Sequence, residues 1–247
     1  MIDMFLNGAL ALGARLGLDY SFLLDAYDRN IFVEGAATTV VIAVLSMAGS
    51  LLVGVVVAAM LTRGRWLRAP ARALVEVLRN TPTLVQLYCA FLVFNMLVTQ
   101  ALKEYGIDNP LSPFLWVVVV LSVHKGVFHA EALRAGIEAV PAATLDAARS
   151  LGFSRHDLLW RVELPLALRF ALPSLVNNLI DLVKGSAVAS AVAVGDITYA
   201  SIMIWTNRDN VLELMILILL FFGALTFAVN QTGRWLEERL RMPGYGQ

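Results

Sequence analysis

The stretch "GAATTVVIAVLSMAGSLLVGVVVAAML" occupies residues 35–61 and contains no charged side chain. An α-helix needs about 20 apolar residues to cross a hydrocarbon core of about 30 Å, so this stretch is long enough to span a bilayer. Its residues are continuously apolar instead of alternating between apolar and polar, which favours a helix over a strand of a membrane barrel. The stretch therefore predicts a transmembrane helix.

Four further stretches have the length and apolar character of transmembrane helices. They lie at about 83–102, 113–133, 168–194 and 211–230, and glycine and polar residues interrupt the stretch at 168–194. Hydrophobic residues make up 59% of the chain and charged residues 15%. Soluble domains carry about 25% charged residues. We therefore expect an all-α integral membrane protein with five transmembrane helices.

The basic residues predict how these helices are oriented. Thirteen of the 19 lysines and arginines lie between the first and second spans, between the third and fourth spans, or after the fifth span. Cytoplasmic segments of membrane proteins are enriched in lysine and arginine. We therefore expect the first connection, the third connection and the C-terminus to be cytoplasmic, and the N-terminus to lie outside.

The predicted membrane domain covers residues 31–236 and has a short segment on each side. Residues 1–30 form an outer segment that includes a short interfacial helix, and residues 237–247 form a cytoplasmic tail. The N-terminus lacks a basic leader and a convincing cleavage site, which argues against a signal peptide. Cys89 is the only cysteine, so neither an internal disulfide nor a cysteine-pair metal site is expected.

The longest predicted cytoplasmic connection contains a helical hairpin at about residues 138–165. Pro141 suits the first position of a helix, and Gly152 suits the left-handed residue just past its end. A short helix of this kind can occupy a groove of another protein. We expect its first helix to expose two small side chains and one larger one, those of Ala147, Ala148 and Leu151.

A second short helix is predicted to follow Gly152. Ser154 caps its first turn, and Asp157, three residues later, is the capping-box partner. Pro165 then begins the return of the chain to the membrane.

Three ionisable side chains lie inside predicted spans, where a charge costs roughly 2.5–3.5 kcal/mol on insertion scales. They are Lys125 in the third span and Asp181 and Lys184 in the fourth. One interpretation is that Asp181 pairs with one of the lysines and joins two helices. The other is that these groups line a solute path, because interrupted membrane helices offer free polar groups to solutes. A metal site formed by His124 and His129 is a weaker interpretation than packing, because residues five positions apart lie on different sides of a helix.

Small residues recur every fourth position in two of the spans, which lets helix backbones approach closely in lipid. One stripe consists of Ser46, Ser50, Gly54 and Ala58, and the other of Ala187, Ala191 and Gly195. Packing within one subunit and packing between two subunits are equally compatible with this pattern.

Four motifs of the chain resemble those of permease subunits of ATP-binding-cassette importers. "DAARSLGFSRHDLLWRVELP" (146–165) is similar to their cytoplasmic loop, in which Glu-Ala-Ala precedes a glycine and then Leu-Pro. "VEVLRNTPTLVQLY" (75–88), "HAEALRAGIEAVP" (129–141) and "LPLALRFALPSLVNNLIDLVKGSAVASAVAVGDITYAS" (164–201) resemble motifs of the branch that takes up polar amino acids. The resemblance covers roughly residues 20–205.

The resemblance implies a type I importer permease with the MetI-like fold and a set of partners. Two permease subunits, identical or homologous, would enclose one path through the bilayer of a bacterial inner membrane. A dimer of ATPase subunits would bind ATP and Mg²⁺, and a periplasmic binding protein would deliver a polar amino acid or a close derivative. The chain lacks a GxxxxGK phosphate loop, so we expect it to bind no cofactor and to catalyse no reaction.

The resemblance also assigns expected roles to residues. The coupling of the hairpin to the ATPase would involve Asp146, Ala147, Ala148, Leu151, Gly152, Leu164 and Pro165. The hypothesis of a solute path in the third and fourth spans involves Lys125, Asn177, Asn178, Asp181, Lys184 and Ser186.

The chain departs from the family pattern at positions that bear on the solute. Lys184-Gly185-Ser186 stands where the family has Lys-Asp-Thr/Ser, and Asn177-Asn178 stands where it has Asn-Glu. An importer of an opine, an osmolyte or methionine is therefore the alternative. A membrane-embedded enzyme lacks a supporting Ser/His/Asp arrangement, and a membrane scaffold would not explain the hairpin. The formal net charge of zero implies no attraction to nucleic acid.

Overall fold

The structure is a computed structural model, and it describes residues 17–62 and 65–240. Within these ranges every regular element is helical. A 3₁₀ turn at Ser21–Leu24 precedes eight helices, which are α1 (Ala26–Thr62), α2 (Arg65–Arg79), α3 (Thr83–Lys103), α4 (Pro113–Glu138), α5 (Ala142–Ser150), α6 (Arg155–Val192), α7 (Ile197–Arg208) and α8 (Val211–Leu240). The predictions for residues 1–16 and 241–247 lie outside the described residues.

Five helices, α1, α3, α4, α6 and α8, are long and apolar enough to cross a membrane, which confirms the predicted number. The first of them begins at Ala26, before the start predicted near residue 35. Asp25 explains the earlier start, because its Oδ1 accepts hydrogen bonds from the backbone N–H groups of Tyr27 at 2.8 Å and Asp28 at 3.4 Å. A carboxylate in this position satisfies the free N–H groups of the first helical turn.

The fourth span differs from its prediction because it is continuous with the second helix of the hairpin. Helix α6 passes through a wide π turn at Leu159–Glu163 without ending. Pro165 follows that turn, and a proline ring crowds the preceding helical turn and donates no hydrogen bond. The wider π turn gives the ring room, so the helix continues. The interruption predicted in this span is a change from α to 3₁₀ pitch at Ser186.

Two helices, α2 and α7, are missing from the sequence prediction. The apolar residues of α2 recur on one side of an amphipathic helix, so a search for continuous apolar stretches does not detect it. Ala71 and Val75 on that side pack in a cluster with Leu61 of α1 and Val127 of α4. Helix α7 has only 12 residues, and it buries Ile197, Ala200, Ser201 and Ile204.

Helices α1 and α4 form the centre of the subunit and approach each other along the stripe of small residues in α1. The side chains of Ser46 and Ser50 are fully buried. A Cβ added at Gly54 would lie 2.6 Å from the Cβ of His129, closer than two carbon atoms approach. In the other direction, a Cβ at Gly126 would overlap Val53. This stripe therefore packs within the subunit.

The second stripe of small residues has a different environment. Ala187 is half-buried, whereas Ala191 and Gly195 are exposed. A Cβ added at Gly195 would meet no heavy atom within 4 Å among the described residues. No helix in the described part of the subunit therefore packs against the end of this stripe.

The end of α7 joins the start of α1 to the start of α8. Arg208 forms ion pairs with Asp28 and, at 2.7 Å, with Asp25. Asn210 donates a hydrogen bond to the carbonyl oxygen of Asp19 at 2.6 Å, and the backbone N–H of Asp19 donates to Glu213 at 2.9 Å. These bonds hold one end of the bundle together.

Candidate functional site

The first helix of the hairpin ends as the sequence predicts, at a glycine with a left-handed backbone. Gly152 has a φ angle of 84°. Its N–H donates to the carbonyl of Arg149 at 3.0 Å, and the N–H of Phe153 donates to the carbonyl of Ala148 at 3.2 Å. These two bonds form a Schellman motif, which satisfies carbonyls at the end of a helix. The reversal between α5 and α6 is therefore a hydrogen-bonded turn.

The second helix of the hairpin begins with the predicted cap. The N–H of Asp157 donates to Ser154 Oγ at 3.1 Å, and Ser154 Oγ donates to Asp157 Oδ2 at 2.6 Å. Pro141 lies one position earlier than predicted, because it is the residue before the first helical residue, Ala142. Both ends of the turn are thus held by local hydrogen bonds.

The surface of the hairpin differs from its prediction at one residue. Ala148 is only 7% exposed, because it faces the interior of the hairpin. Leu151 is 79% exposed and is the most prominent apolar side chain of the turn. Five more residues of the predicted coupling set are exposed, namely Asp146, Ala147, Gly152, Leu164 and Pro165. Among them, Asp146 pairs with Arg149 at 2.7 Å along the same helix.

A buried lysine and an exposed aspartate form an ion pair between α4 and α6. Lys125 Nζ lies 2.5 Å from Asp181 Oδ2. The lysine side chain is 10% exposed and the aspartate side chain 63%. The ammonium group also lies 5.0 Å from the centre of the Phe128 ring, within the range of a cation–π contact. Two lysines were candidates to pair with Asp181, and the ion pair forms with Lys125 on the neighbouring helix.

Three residues of the predicted path lie on one exposed side of α6. Asn177, Asp181 and Lys184 are four and three residues apart, which places them on the same helix face, and all three are exposed. Lys184 forms no ion pair with any described residue. Asn178 lies beside this group and is half-buried.

Ser186 does not belong with the exposed residues of α6. It is fully buried, and its hydroxyl donates to the carbonyl of Val183 at 2.8 Å. A satisfied hydroxyl that faces the protein interior cannot reach a solute, so Ser186 leaves the predicted path set.

A hydrogen-bonded polar cluster between α3 and α4 was beyond the sequence prediction. His124 Nε2 lies 2.9 Å from Thr83 Oγ1, and His124 Nδ1 lies 3.2 Å from Gln86 Oε1. Gln86 Nε2 in turn donates to Thr81 Oγ1 at 2.7 Å. From the sequence, His124 is considered only for metal binding or packing, and it is not paired with Gln86. The available signal was that both residues are polar and lie in apolar spans.

The second histidine of α4 has no such partners. His129 is fully buried, and neither ring nitrogen has a hydrogen-bond partner among the described residues. In residues 17–62 and 65–240, no group of three or more His, Cys, Asp or Glu side chains is arranged to hold a metal ion. The position of His129 against Gly54 supports the packing interpretation of this residue.

Known proteins resemble the chain over most of its length. Residues 50–242 match the family described as "Binding-protein-dependent transport system inner membrane component". The probable glutamine ABC transporter permease protein of Bacillus subtilis (strain 168) is 31% identical over 227 residues, which cover 90% of this chain and 98% of that protein. This relative is a permease, that is, a transport component.

Solved structures share the fold. A chain from the crystal structure of an amino acid ABC transporter with histidines is 28% identical, has a TM-score of 0.73, and is matched over 88% of this chain and 98% of its own length. A chain of the inward-facing MetNI methionine ABC transporter has a TM-score of 0.69, covering 88% of this chain and 100% of that one. Its identity is 19%, so it supports the predicted MetI-like fold alone.

The family match and the relatives agree with the motifs quoted above. The match begins within α1 and extends through α8, and it includes both the hairpin and the Lys125–Asp181 pair. The predicted resemblance to permease subunits of ABC importers is therefore confirmed. The chain belongs to the family of inner membrane components of binding-protein-dependent transport systems.

Proposed function

We propose that the chain is the transmembrane subunit of an ATP-driven importer and forms the path for a polar amino acid or a close derivative. Its family membership and the similarity to a probable glutamine permease support this function. The importer would lie in a bacterial inner membrane. The basic residues of the first and third connections would place these connections in the cytoplasm and the N-terminus outside.

The main support for the proposal is that one helix, α6, contains both the second helix of the hairpin and the exposed polar residues of the fourth span. Helix α6 begins at Arg155 in the hairpin and includes Asp181. Asp181 lies 26 positions after Arg155, which corresponds to a helix length of roughly 39 Å. A push on the hairpin would therefore move Asp181, because a continuous helix transmits displacement along its axis.

The partner that would push the hairpin is a soluble ATPase. The chain carries no phosphate loop, so a dimer of ATPase subunits would bind ATP and Mg²⁺. Leu151 and Phe153 project from the turn as exposed apolar side chains that a groove on the ATPase could receive. A second permease subunit, identical or homologous, would complete the path, and a periplasmic binding protein would deliver the solute.

The solute would meet the open side of α6. The exposed carboxylate of Asp181 can accept a bond from the ammonium group of an amino acid while one of its oxygens remains with Lys125. Lys184, one turn away and without an ion-pair partner among the described residues, can bind the solute carboxylate. Asn177 offers a neutral donor and acceptor on the same face.

Reconstitution of the complete transporter tests this function. Vesicles would contain the permease, its ATPase and ATP, and the binding protein would present labelled L-glutamine outside. Lys184→Ala and Asp181→Asn are each expected to reduce uptake at least tenfold, because each removes a charge-assisted bond to the solute. Lys103→Ala, which removes an exposed lysine outside the proposed path, is the control. Uptake at the control level by both path variants would contradict the proposed path.

The role of the hairpin has a separate test. Leu151→Asp places a charge on an exposed position, so the subunit should still fold and insert. It should uncouple ATP hydrolysis from uptake, because the groove of the ATPase would have to desolvate the carboxylate. Arg155→Gln, at an exposed position beside the turn, is the matched control. Coupled uptake by Leu151→Asp would contradict the docking role.

A further inference from the structure

A polar cleft of about 560 Å³ lies between the end of α1, helix α2 and the end of α4. Its volume is within the range of about 300–1,000 Å³ that is typical of sites for small molecules. Four arginines and three glutamates line it, so both signs of charge face the same space. The proposed path at Asp181 does not include this cleft.

Two of the glutamates are already neutralised by ion pairs. Glu131 Oε2 lies 3.1 Å from Arg134 and 3.5 Å from Arg79. Glu138 lies 2.7 Å from the same Arg134. Arg68 donates its Nε–H to the carbonyl of Leu61 at 2.9 Å. These bonds fix the frame of the cleft and join α2 to α4.

Three charged residues on the wall formed by α2 have no ion pair with a described residue, and one of them, Arg68, is bound to the carbonyl of Leu61. Arg72 and Glu76 both line the cleft and are exposed, and neither forms an ion pair with a described residue. They are four residues apart and therefore on one helix face. A ligand with one carboxylate and one ammonium group matches this wall, with its carboxylate at Arg72 and its ammonium at Glu76. A phosphate group matches it less well, because the carboxylate of Glu76 would repel it.

The Phe128 side chain links the cleft to the Lys125–Asp181 pair. On α4, Phe128 is three residues from Lys125 and three residues from Glu131, which lines the cleft. The Phe128 ring centre lies 5.0 Å from Lys125 Nζ and 5.6 Å from the guanidinium carbon of Arg79. The Phe128 ring thus contacts Lys125 of the ion pair and Arg79 of the cleft. The rise along α4 from Lys125 to Glu131 is only about 9 Å.

We propose that this cleft is a second, exit-side station for a zwitterionic amino acid, occupied after the solute leaves Asp181 and before its release. This inference rests on the proposed transport function and adds a second binding site to it. A site of this kind has a measurable consequence. Free amino acid on the ATPase side binds the same cleft and slows import, because the station must be empty to receive the next solute.

The experiment measures uptake against a load of product. Vesicles with the assembled transporter take up labelled L-glutamine from the binding protein while unlabelled L-glutamine is enclosed on the ATPase side. The initial rate should fall as the enclosed concentration rises. Enclosed N-acetyl-L-glutamine, which lacks the ammonium group, and L-glutamine methyl ester, which lacks the carboxylate, should not slow uptake at the same concentrations.

Variants of the free charges locate the effect. Arg72→Gln and Glu76→Gln should each raise the half-inhibiting concentration about tenfold, because each removes one charge-assisted bond. Arg72→Lys keeps the positive charge and should retain most of the inhibition. Glu34→Gln removes an exposed glutamate of α1 that does not line the cleft, and it should behave as the unmodified protein.

The outcomes separate this inference from the proposed function. Absence of uptake of L-glutamine and of every other amino acid by the unmodified transporter would contradict the proposed function itself. Normal uptake without inhibition by enclosed L-glutamine would overturn only the second station. Inhibition that Arg72→Gln and Glu76→Gln leave unchanged would also overturn it, because the product would then bind elsewhere. Inhibition by enclosed inorganic phosphate but not by L-glutamine would overturn the assignment to a zwitterion.

Discussion

The two stripes of small residues have the same sequence pattern and opposite environments. The stripe of α1 is buried against α4, where Gly54 leaves room for His129. The stripe that ends at Gly195 is open at Ala191 and beyond. We call the first the closed stripe and the second the open stripe. The comparison teaches that small residues indicate a close approach of helices without indicating which helix approaches.

The two stripes therefore have different consequences for the subunit. The closed stripe packs helices within the subunit, whereas the open stripe is exposed to contacts with other molecules. The closed stripe lies at the junction of the two most extensively packed helices. The open stripe begins in the last turns of α6 and ends just after it, and the exposed side of α6 carries Asp181 and Lys184. We therefore expect substitutions in the closed stripe to affect folding, and substitutions in the open stripe to affect assembly and transport.

The largest expected effect is that of Gly54→Leu in the closed stripe. The new side chain would overlap the Cβ of His129 and the carbonyl of Gly126, and neither is the flexible end of a side chain. Overpacking of this kind costs about 3 kcal/mol or more. The purified subunit should therefore lose thermal stability and much of its yield, as measured by fluorescence-detected size-exclusion chromatography after heating.

Gly195→Leu in the open stripe is the matched control for that substitution. The added side chain meets open space in the single subunit, so thermal stability should change little. Equal destabilisation by both substitutions would show that the two stripes do not differ as the comparison requires.

The next largest effect concerns the ion pair between Lys125, which is buried in α4, and Asp181 on the exposed side of α6. Asp181→Ala leaves the ammonium group of Lys125 buried without its carboxylate, whereas Lys125→Met leaves only an exposed carboxylate. A buried unpaired charge is destabilising, but water reaches the Asp181 end, so we expect a loss of about 1–2 kcal/mol for Asp181→Ala. Lys125→Met should cost less, and the double variant should be more stable than Asp181→Ala alone. Chemical unfolding of the purified subunit measures all three.

A substitution in the open stripe should affect assembly more than stability. Ala191→Leu adds volume at an exposed position, so the free energy of unfolding of the single subunit should change by no more than about 0.5 kcal/mol. If the open stripe receives the second permease subunit, pairing should be lost, because small residues permit the close approach. Native mass spectrometry of the detergent-solubilised complex measures the pairing. Full pairing in Ala191→Leu would assign the open stripe to another role.

The smallest expected effect lies at the end of the bundle where α1 and α8 begin, away from both stripes. The backbone N–H groups of Tyr27 and Asp28, and the nearby Arg208, lower the pKa of Asp25 below its ordinary value of 3.8. A lowered pKa in the folded state means that Asp25 stabilises the fold above pH 3.8 and that this contribution disappears as the pH falls through the lowered value.

Asp25→Asn should therefore remove part of the acid sensitivity while keeping an oxygen that caps α1. At pH 7 the change in Tm should be no more than about 2 °C, because Asp25 is exposed to water. Glu34→Gln, at an exposed position of the same helix, is the control. The Tm of the subunit between pH 3 and pH 7 measures the difference, and identical acid limbs for Asp25→Asn and the unmodified protein would contradict the prediction.

Several features of the fold follow from short-range information. The five spans are predictable because the cost of placing a side chain in lipid depends mainly on that side chain. The turn at Gly152 and the cap at Ser154 are predictable because their hydrogen bonds join residues within five positions. The residues predicted to couple to an ATPase come from a motif, and all except Ala148 are exposed.

Other features required the packing of distant residues. The sequence offers Asp181 two lysines, and only the approach of α4 to α6 selects Lys125. Helix α2 is amphipathic and too short for a span, so the charges of its cleft become visible only when it packs against α1 and α4. Ser186 is one of the residues predicted to line the path, but the change to 3₁₀ pitch in α6 places its side chain in the protein interior, where it bonds to Val183.

The amino-acid sequence by itself determined that this chain crosses a membrane five times and where its hairpin turns, because hydrophobicity and helix caps act on single residues and near neighbours. Only the tertiary structure decided which stripe is covered, which lysine meets Asp181 and which arginines share a cleft with glutamates. Those outcomes depend on how helices far apart in sequence are positioned, and the free energy of a contact exists only once both of its members are in place.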